Sequence, residues 1–235
     1  MAALTAGFGL RGPRREQHIL EADALERVSL PVGDDGVVIG QDGEGRPAVA
    51  GLFRPTPYEV VLLGGVWTAQ LIALRAAATG ARVAVETGRG HLWGAVAQAA
   101  GGGQPCLTVH PLGRIGPQGA TVAAPVLVVR DCGPRPARTR LSASPWQTVL
   151  TVLPYLGAGS ERLLTGAQLV GVQRVSPQEA AAVAKALTLP EQEERILPSL
   201  GDGVTLWATR TDRTLTQSGP TAAEAQVLGP ARRMD

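Results

Sequence analysis

The sequence predicts an α/β fold: a mostly parallel sheet of Rossmann-like or P-loop-like topology, with helices on both faces and an N-terminal β-hairpin. Residues 59–63 form an apolar, β-branched run that stops at Gly64 and Gly65, as a fully buried strand does. Apolar residues then recur at helical spacing over 66–79, and a glycine follows where a helix ends. Residues 82–87 form a second apolar strand. Together these patterns predict a right-handed βαβ unit and therefore a parallel sheet.

The residues before this unit predict a hairpin and an arm. Residues 36–41 and 47–53 flank a glycine-rich turn, which is typical of a β-hairpin. Residues 1–30 are rich in glycine and arginine and predict a poorly ordered arm or a single docking helix. We expect the remaining chain, 31–235, to form one α/β domain.

The middle of the chain continues the alternation of helices and strands. Residues 91–100 predict a short helix that ends at three glycines, and residues 106–110 predict a further strand. The most apolar strand of the chain is predicted over 125–130. Residues 146–156 fit either a helix or a strand, and a proline marks the end of this element.

Strong helix signals mark the last third of the chain. After a strand over 169–173, Ser176 is followed by proline and then by glutamate at the third helical position, a capping box that starts a helix. A second helix is predicted over 190–200. Residues 204–208 predict a closing strand at a sheet edge, and Thr221 begins a last short helix with a second capping box.

Composition and charge exclude several classes of function. Hydrophobic residues make up 44% of the 235 residues and aromatic residues only 3%, so alanine, valine and leucine must fill the core. Lys185 is the only lysine, which indicates GC-rich coding typical of actinobacteria. The net charge is +2 and the arginines are dispersed, so we expect no nucleic-acid partner.

The cysteines and histidines indicate no metal site. The two cysteines and three histidines share no spacing typical of metal ligands, and two thiols in a chain of this size favour a reducing compartment. No apolar run is long enough to span a membrane, and no apolar signal core follows the first residue. We therefore expect a cytoplasmic protein without a transmembrane segment.

The first turn of the predicted core lacks the residues of a phosphate-binding loop. Such a loop needs a lysine for the β- and γ-phosphates and a Ser or Thr hydroxyl for magnesium. Here Gly64 and Gly65 are followed by valine, tryptophan and Thr68, and the only lysine lies far along the chain. We expect Thr68 to be a helix N-cap and the chain to have no catalytic residues and no cofactor.

An alternative interpretation assigns a nucleotide- or dinucleotide-binding enzyme to the same stretch. Gly64 and Gly65 join a strand to a helix, and Glu86 closes the next strand about 20 residues later, where a ribose-binding acid belongs. Asp131 follows a buried strand, where nucleotide-hydrolysing folds place a magnesium-binding aspartate. However, Val66 stands where glycine would let a pyrophosphate approach, and its side chain is predicted to occupy the space of the anion.

Two other enzyme classes find less support in the residues. The sequence contains no Gly-x-Ser-x-Gly motif, which argues against a serine hydrolase of the α/β type. A sugar-nucleotide-binding fold of the glycosyltransferase kind would need a pair of carboxylates that the sequence does not identify.

Five segments of the sequence together carry a resemblance to known proteins: 38–47, 82–93, 168–180, 197–203 and 220–224. The first of them leads into the first core strand, and it resembles, together with 168–180 and 197–203, parts of FtsK/HerA-type secretion and translocation ATPases. The phosphate loop between these parts is missing. With 82–93 and 220–224, the chain resembles the soluble domain of actinobacterial type VII secretion EccE-like proteins over residues 36–229.

The resemblance implies a role without known catalysis. It implies a component of a membrane-embedded secretion complex that acts through protein partners and lies at the inner membrane through those partners. EccE proteins usually carry N-terminal transmembrane helices, and this chain shows none, so the resemblance implies either a soluble relative or a truncated chain.

Overall fold

The structure is a computed structural model that describes residues 36–101, 104–134 and 141–233. The arm predicted over residues 1–30 lies outside this range. In the described residues the strands are β1 (Val37–Gln41), β2 (Pro47–Ala50), β3 (Tyr58–Leu63), β4 (Arg82–Thr87), β5 (Leu107–His110), β6 (Val126–Asp131), β7 (Gln147–Leu153), β8 (Leu169–Val172), β9 (Val204–Ala208) and β10 (Arg213–Gln217). The helices are α1 (Val66–Ala78), α2 (Gly90–Ala100), α3 (Ser160–Gly166), α4 (Pro177–Leu187), α5 (Glu191–Ile196) and α6 (Ala222–Leu228), and a 3-10 turn follows α5 over Leu197–Ser199.

All of these strands belong to one sheet, in the order β2-β1-β10-β9-β8-β3-β7-β6-β4-β5. The six strands from β8 to β5 are parallel, whereas β9, β10, β1 and β2 extend the sheet with antiparallel pairs. The predicted α/β fold with a mostly parallel sheet and an N-terminal hairpin is therefore confirmed. The predicted βαβ unit is present as β3, α1 and β4, with β7 and β6 inserted between its two strands.

Helices cover both faces of the sheet because β3 is apolar on both sides. Val60 and Leu62 pack in one core with α1, α2 and α6, whereas Val61 and Leu63 pack in a second core with α3 and α4. A strand buried on both faces reads as a continuous apolar run, which is the pattern of residues 60–63. This two-sided packing fixes the carboxyl ends of the parallel strands relative to the helices that follow them.

The position of one predicted strand needs correction, and one strand was not predicted. The strand β9 was expected at an edge of the sheet, but it lies between β8 and β10. The strand β10 was not predicted because its residues, Arg213–Gln217, are mostly polar, and its register is fixed by five residue pairs with β9. The ambiguous segment 146–156 contains the strand β7, which is buried along its whole length between β3 and β6.

Both predicted capping boxes are present. The hydroxyl oxygen of Ser176 accepts a hydrogen bond from the backbone N–H of Glu179, and the Glu179 carboxylate accepts one from the Ser176 N–H. Thr221 and Glu224 make the same reciprocal pair at the start of α6. These bonds satisfy N–H groups that the helices themselves leave unpaired.

Arg75 joins the antiparallel extension to the parallel core. Its guanidinium donates to both carboxylate oxygens of Glu224, at 2.8 and 3.0 Å, and to the backbone carbonyls of Val38, Ser218 and Gly219. Burial alone would raise the pKa of Glu224, but the hydrogen bonds from Arg75 and Thr221 outweigh it and lower the pKa.

In the described residues, no helix is both long and apolar enough to cross a membrane.

Candidate functional site

The four residues of the nucleotide-binding alternative lie where parallel strands of the sheet have their carboxyl ends. In open α/β sheets, ligands bind in the crevice outside the carboxyl ends of the strands. Gly64 and Gly65 follow β3, whereas Glu86 and Asp131 lie at the ends of β4 and β6. Because β7 and β6 stand between β3 and β4, the glycines and the carboxylates form two separate groups.

The turn between β3 and α1 is held by backbone and side-chain hydrogen bonds. The Gly64 N–H donates to the Leu153 carbonyl at 2.9 Å, which ties the turn to the end of β7. Gly65 is the N-cap of α1, and its N–H donates to Oε1 of Gln173 at 2.8 Å. Thr68, predicted as the N-cap, instead lies inside the first turn of the helix.

Gln173 fills the space in front of this turn. It follows β8, is 2% exposed, and its Nε2 donates to the Thr68 hydroxyl at 2.7 Å and to the Thr205 hydroxyl at 3.4 Å. A Cβ on Gly64 would lie 2.4 Å from Oε1 of Gln173, so glycine is required for the amide to fit. The amide oxygen therefore accepts from the N–H group that a phosphate oxygen would use in a phosphate-binding turn.

The C-terminal segment covers the second glycine. A Cβ on Gly65 would lie 2.6 Å from the Arg233 carbonyl oxygen and 3.1 Å from that of Arg232. The Arg233 guanidinium donates to the carbonyls of Pro154 and Arg174, at 2.7 and 2.9 Å, and these two residues directly follow Leu153 and Gln173. The glycine thus accommodates carbonyl oxygens of the chain itself.

The sequence predicted a different obstacle at this position. Val66 was expected to fill the space of an anion, but its side chain is buried in the core beneath α1, at 1% exposure. The neighbouring Trp67 is buried in the same core, at 0% exposure. Gln173 and Arg233 occupy the turn instead, and sequence reasoning missed both. A glutamine directly after an apolar strand was a usable signal for Gln173, whereas nothing in the tail marked Arg233.

Glu86 is enclosed by an ion pair and a backbone donor. It is 1% exposed; Oε2 accepts from Nε of Arg130 on the neighbouring strand at 2.7 Å, and Oε1 accepts from the Gly113 N–H at 2.6 Å. The register places Glu86 directly opposite Arg130. Both carboxylate oxygens therefore have partners within the protein. The alternative interpretation expected this carboxylate to bind a ribose hydroxyl instead.

Asp131 is enclosed in the same way. It is 2% exposed and accepts from Nη2 of Arg89 at 2.6 Å, from the Thr87 hydroxyl at 2.8 Å and from Nε1 of Trp93 at 3.2 Å. Arg89 and Trp93 stand at the beginning of α2, so the start of that helix is tied to the end of β6. These donors hold both carboxylate oxygens that a magnesium ion would need.

The thiol of Cys132 lies beside these carboxylates. Burial raises the pKa of Cys132 to about 11, the carboxylates of Glu86 and Asp131 act in the same direction, and Arg130 opposes them. A thiol with this pKa is protonated at neutral pH and is a poor nucleophile. Within 36–101, 104–134 and 141–233, no group of three or more His, Cys, Asp or Glu side chains is arranged to hold a metal ion.

Comparison with known proteins identifies the fold. No family profile matches the sequence, and no curated protein sequence matches it. Among solved structures, VirB4 of Thermoanaerobacter pseudethanolicus is similar, with a TM-score of 0.56 and 10% sequence identity. The match covers 83% of this chain and 99% of the VirB4 chain. At this identity the likeness shows the fold alone, a mixed α/β fold with a mostly parallel ten-stranded sheet.

Proposed function

We propose that this chain is a non-catalytic component of a secretion system and acts through protein–protein contacts. The observation that carries the proposal is the β3–α1 turn, where the Gly65 N–H donates to Gln173 and the Arg233 carbonyl oxygen lies against the same glycine. In a P-loop enzyme the corresponding N–H groups bind phosphate oxygens, and a lysine of the loop binds the outer phosphates.

Electrostatics argue against a nucleotide at this turn. Carbonyl and amide oxygens face the position of the anion, and they would repel a phosphate rather than bind it. The only lysine of the chain, Lys185, lies in the last turn of α4 and not in the loop. Glu86 and Asp131, the candidates for ribose and magnesium, are each paired with an arginine.

The link to secretion rests on two resemblances. The sequence resembles FtsK/HerA-type ATPases and EccE-like proteins over residues 36–229, and the fold is like that of VirB4, a type IV secretion ATPase. The finer proposal is that the chain is an EccE-like component of a type VII system in an actinobacterium, located in the cytoplasm and held at the inner membrane by its partners.

Calorimetric titration tests the absence of a nucleotide site. We expect no binding heat when Mg·ATP or NAD is added to the folded protein at millimolar concentration. A micromolar dissociation constant for either ligand would overturn the proposal and would favour the alternative, an enzyme that uses the crevice beside Gly64, Gly65, Glu86 and Asp131. A P-loop ATPase titrated under the same conditions serves as the positive control.

Genetics tests the link to secretion. We expect the gene to lie beside a secretion ATPase and genes for small WXG-type substrates, and we expect its deletion to stop export of those substrates. Export that continues unchanged in the deletion strain, with the neighbouring genes still expressed, would contradict the proposed role.

A further inference from the structure

A cleft of about 340 Å³ lies beside the amino-terminal ends of β3 and β8, at the other end of these strands from the β3–α1 turn. Tyr58 and Leu169, the first residues of the two strands, line it together with Thr209 and Asp212 of the β9–β10 turn. The β1–β2 hairpin forms a further wall, and we call this space the hairpin cleft. Its volume is in the range of ligand-binding pockets.

Apolar residues of the sheet form the floor of the hairpin cleft. Leu169 and Trp207 lie there, 6% and 3% exposed, and Ile39 of the hairpin also lines the cleft. The Trp207 ring packs against Gly171, since an added Cβ would lie 2.6 Å from its Cζ3 atom. Nε1 of Trp207 is buried and has no hydrogen-bond partner in the described residues. The floor therefore favours an apolar ligand group, and the indole N–H provides a signal that can report its arrival.

The guanidinium of Arg54 is held in place at the β3 end of the cleft. Its Nε donates to the Gly51 carbonyl at 2.7 Å, and its Cζ lies 4.7 Å from the centre of the Tyr58 ring. The Arg54 carbonyl accepts from the Trp146 N–H at 2.7 Å, which fixes the backbone. Over 36–101, 104–134 and 141–233, no carboxylate pairs with this guanidinium. Its Nη groups are therefore preorganised for a planar acceptor with two oxygens, a carboxylate.

The hydroxyl of Tyr58 adds a second donor at the same end. The Tyr58 side chain is 7% exposed, yet its hydroxyl has no hydrogen-bond partner within the part of the chain that the structure describes. Burial raises the pKa of Tyr58, although Arg54 opposes this, so the phenol is protonated at neutral pH and can donate. The β3 end of the cleft thus presents donors that lack an acceptor.

The β10 end of the cleft carries the opposite charge. Oδ2 of Asp212 accepts from the Thr211 hydroxyl at 2.6 Å and from the Thr209 hydroxyl at 3.5 Å. Among the described residues, Oδ1 of Asp212 has no partner. Asp42 also lines the cleft, but it is paired with Arg46. Asp212 is therefore the carboxylate that can receive a cation from a ligand.

We propose that the hairpin cleft binds the C-terminal segment of a partner protein, with the terminal carboxylate at Arg54 and Tyr58 and a basic side chain at Asp212. The strands β3, β8, β9 and β10 are neighbours, so the two ends lie about 14 Å apart at about 4.8 Å per strand. An extended segment of about four residues spans this distance. The inference rests on the proposed protein-binding function and names the chemistry of the partner.

A chain terminus fits this site better than an acidic side chain does. In a C-terminal residue the carboxylate and the side chain are attached to the same carbon atom. The carboxylate can therefore bind Arg54 while an apolar side chain contacts Leu169 on the neighbouring strand. A glutamate or aspartate at Arg54 would use its side chain for the ion pair and would leave the floor without an apolar contact.

Fluorescence anisotropy with three labelled peptides tests the site. The first peptide has the sequence Lys-Ala-Val-Leu with a free carboxylate and an amino-terminal label. The second has an amidated carboxyl terminus, and we expect it to bind at least about tenfold more weakly because the charge-assisted pair with arginine is lost. The third replaces lysine with glutamate, and we expect a loss of about threefold because the pair with the exposed Asp212 is weak.

Four variants assign these preferences to residues. Arg54→Gln should reduce the preference for the free carboxylate to less than about threefold, and Asp212→Asn should remove the preference for lysine. Tyr58→Phe removes a hydroxyl that the fold does not use, so it should keep its stability in urea and bind the first peptide about threefold more weakly. Arg210→Gln is the matched control, since this exposed arginine lies at the same end of the sheet but lines a different cleft, and it should change neither preference.

The indole N–H signal of Trp207 locates the bound peptide. Trp207→Phe identifies this NMR signal among those of the four tryptophans. The first peptide should shift it in a saturable way and leave unchanged the signal of Trp93, whose N–H donates to Asp131. A shift at Trp93 with none at Trp207 would place the peptide elsewhere and overturn the inference.

The other contrary outcomes are equally definite. Failure of the first peptide to bind, equal binding of its amide, or an unchanged preference in folded Arg54→Gln protein would overturn the inference. So would tighter binding of an amidated peptide with glutamate in place of leucine, which would assign Arg54 to an acidic side chain. Absence of peptide binding without nucleotide binding would remove this site alone, whereas nucleotide binding with intact peptide binding would remove the proposed function alone.

Discussion

The carboxyl ends of β3 and β8 differ from those of β4 and β6 in how they are closed. At the first pair, the neutral amide of Gln173 and a carbonyl oxygen of the tail occupy the turn. At the second pair, the buried carboxylates Glu86 and Asp131 are neutralised by arginines. At the carboxyl ends of the strands, the groups that could bind a ligand therefore already have partners within the protein. At the turn the position of an anion is filled, and at the carboxylates the charges are paired with arginines.

The difference predicts different energetic consequences. A neutral filler contributes hydrogen bonds of modest net value, whereas a buried ion pair cannot lose one partner without leaving an uncompensated charge. Substitutions at the carboxylate pairs should therefore cost more stability than substitutions at the filled turn. The following predictions test this order, from the largest expected effect to the smallest.

Arg130→Met should have the largest effect on stability. It leaves the Glu86 carboxylate, 1% exposed, without its ionic partner, and we expect the free energy of unfolding in urea to fall by about 3–5 kcal/mol. Adding Glu86→Gln to Arg130→Met should restore part of this loss, since the amide carries no charge. Equal losses for the single and double variants would show that the buried charge is not the cause.

Arg89→Met is the matched substitution at the other carboxylate. Asp131 keeps the Thr87 hydroxyl and the Trp93 N–H, and the Arg89 side chain is 36% exposed, so we expect a smaller loss of about 2–3 kcal/mol. The same urea titration measures it. A loss as large as that of Arg130→Met would contradict the ranking by burial.

Gln173→Leu tests the filled turn. It removes the acceptor of the Gly65 N–H and the donor to Thr68, so buried polar groups lose their partners, and we expect a loss of about 1–2 kcal/mol. Gln173→Glu retains an acceptor for the Gly65 N–H, but it loses the donor to Thr68 and places an unpaired charge at a position that is 2% exposed, so we expect it to cost at least as much as Gln173→Leu. Thermal and urea unfolding of the two variants compare them directly, and a smaller loss for Gln173→Glu would show that the turn favours an anion.

Gly65→Ala should displace the tail. Its Cβ would meet the Arg233 carbonyl at 2.6 Å, so we expect a loss of about 1–2 kcal/mol and faster amide exchange over residues 229–233. Gly94→Ala is the control, since nothing lies within 4 Å of its added methyl group and alanine favours the α2 helix. Unchanged exchange in the tail of Gly65→Ala would contradict the close contact with Arg233.

The pKa of the Cys132 thiol depends on its burial and on the nearby carboxylates of Glu86 and Asp131, so its titration tests their positions with the smallest expected effect on stability. In a Cys106→Ser protein, thiolate absorbance should rise with a midpoint near the value of about 11 expected for Cys132. Because the folded pKa is raised above the ordinary value of 9.0, stability should fall as pH rises between these two values, and it should be unaffected below them. A midpoint at or below the ordinary value would mean that the thiol is not buried beside Glu86 and Asp131.

The sequence predicted the parallel core because each of its elements carries a local signal. The strand β3 is continuously apolar, and Ser176 and Thr221 begin their helices with complete capping boxes. The polar strand β10 carried no such signal, since its place depends on pairing with β9 and β1. Its absence from the prediction is also why β9 was expected at an edge.

The positions of Gly64, Gly65, Glu86 and Asp131 at one sheet edge followed from the sequence, but their partners did not. Gln173 lies 108 residues from Gly65, and Arg130 lies 44 residues from Glu86. Contacts at such separations depend on strand order, which the pattern of a single sequence does not contain. The missing lysine was visible directly, and so the expectation of an absent phosphate loop needed no structure.

The backbone amide of Gly65 offers the most direct test of the filled turn. We would record its NMR signal, with those of Gly64 and Val66, while Mg·ATP is added to millimolar concentration. The account predicts that these three amides keep their chemical shifts, because Gln173 and the tail already occupy the position. A saturable shift confined to these amides would place a phosphate at the turn and would contradict the account.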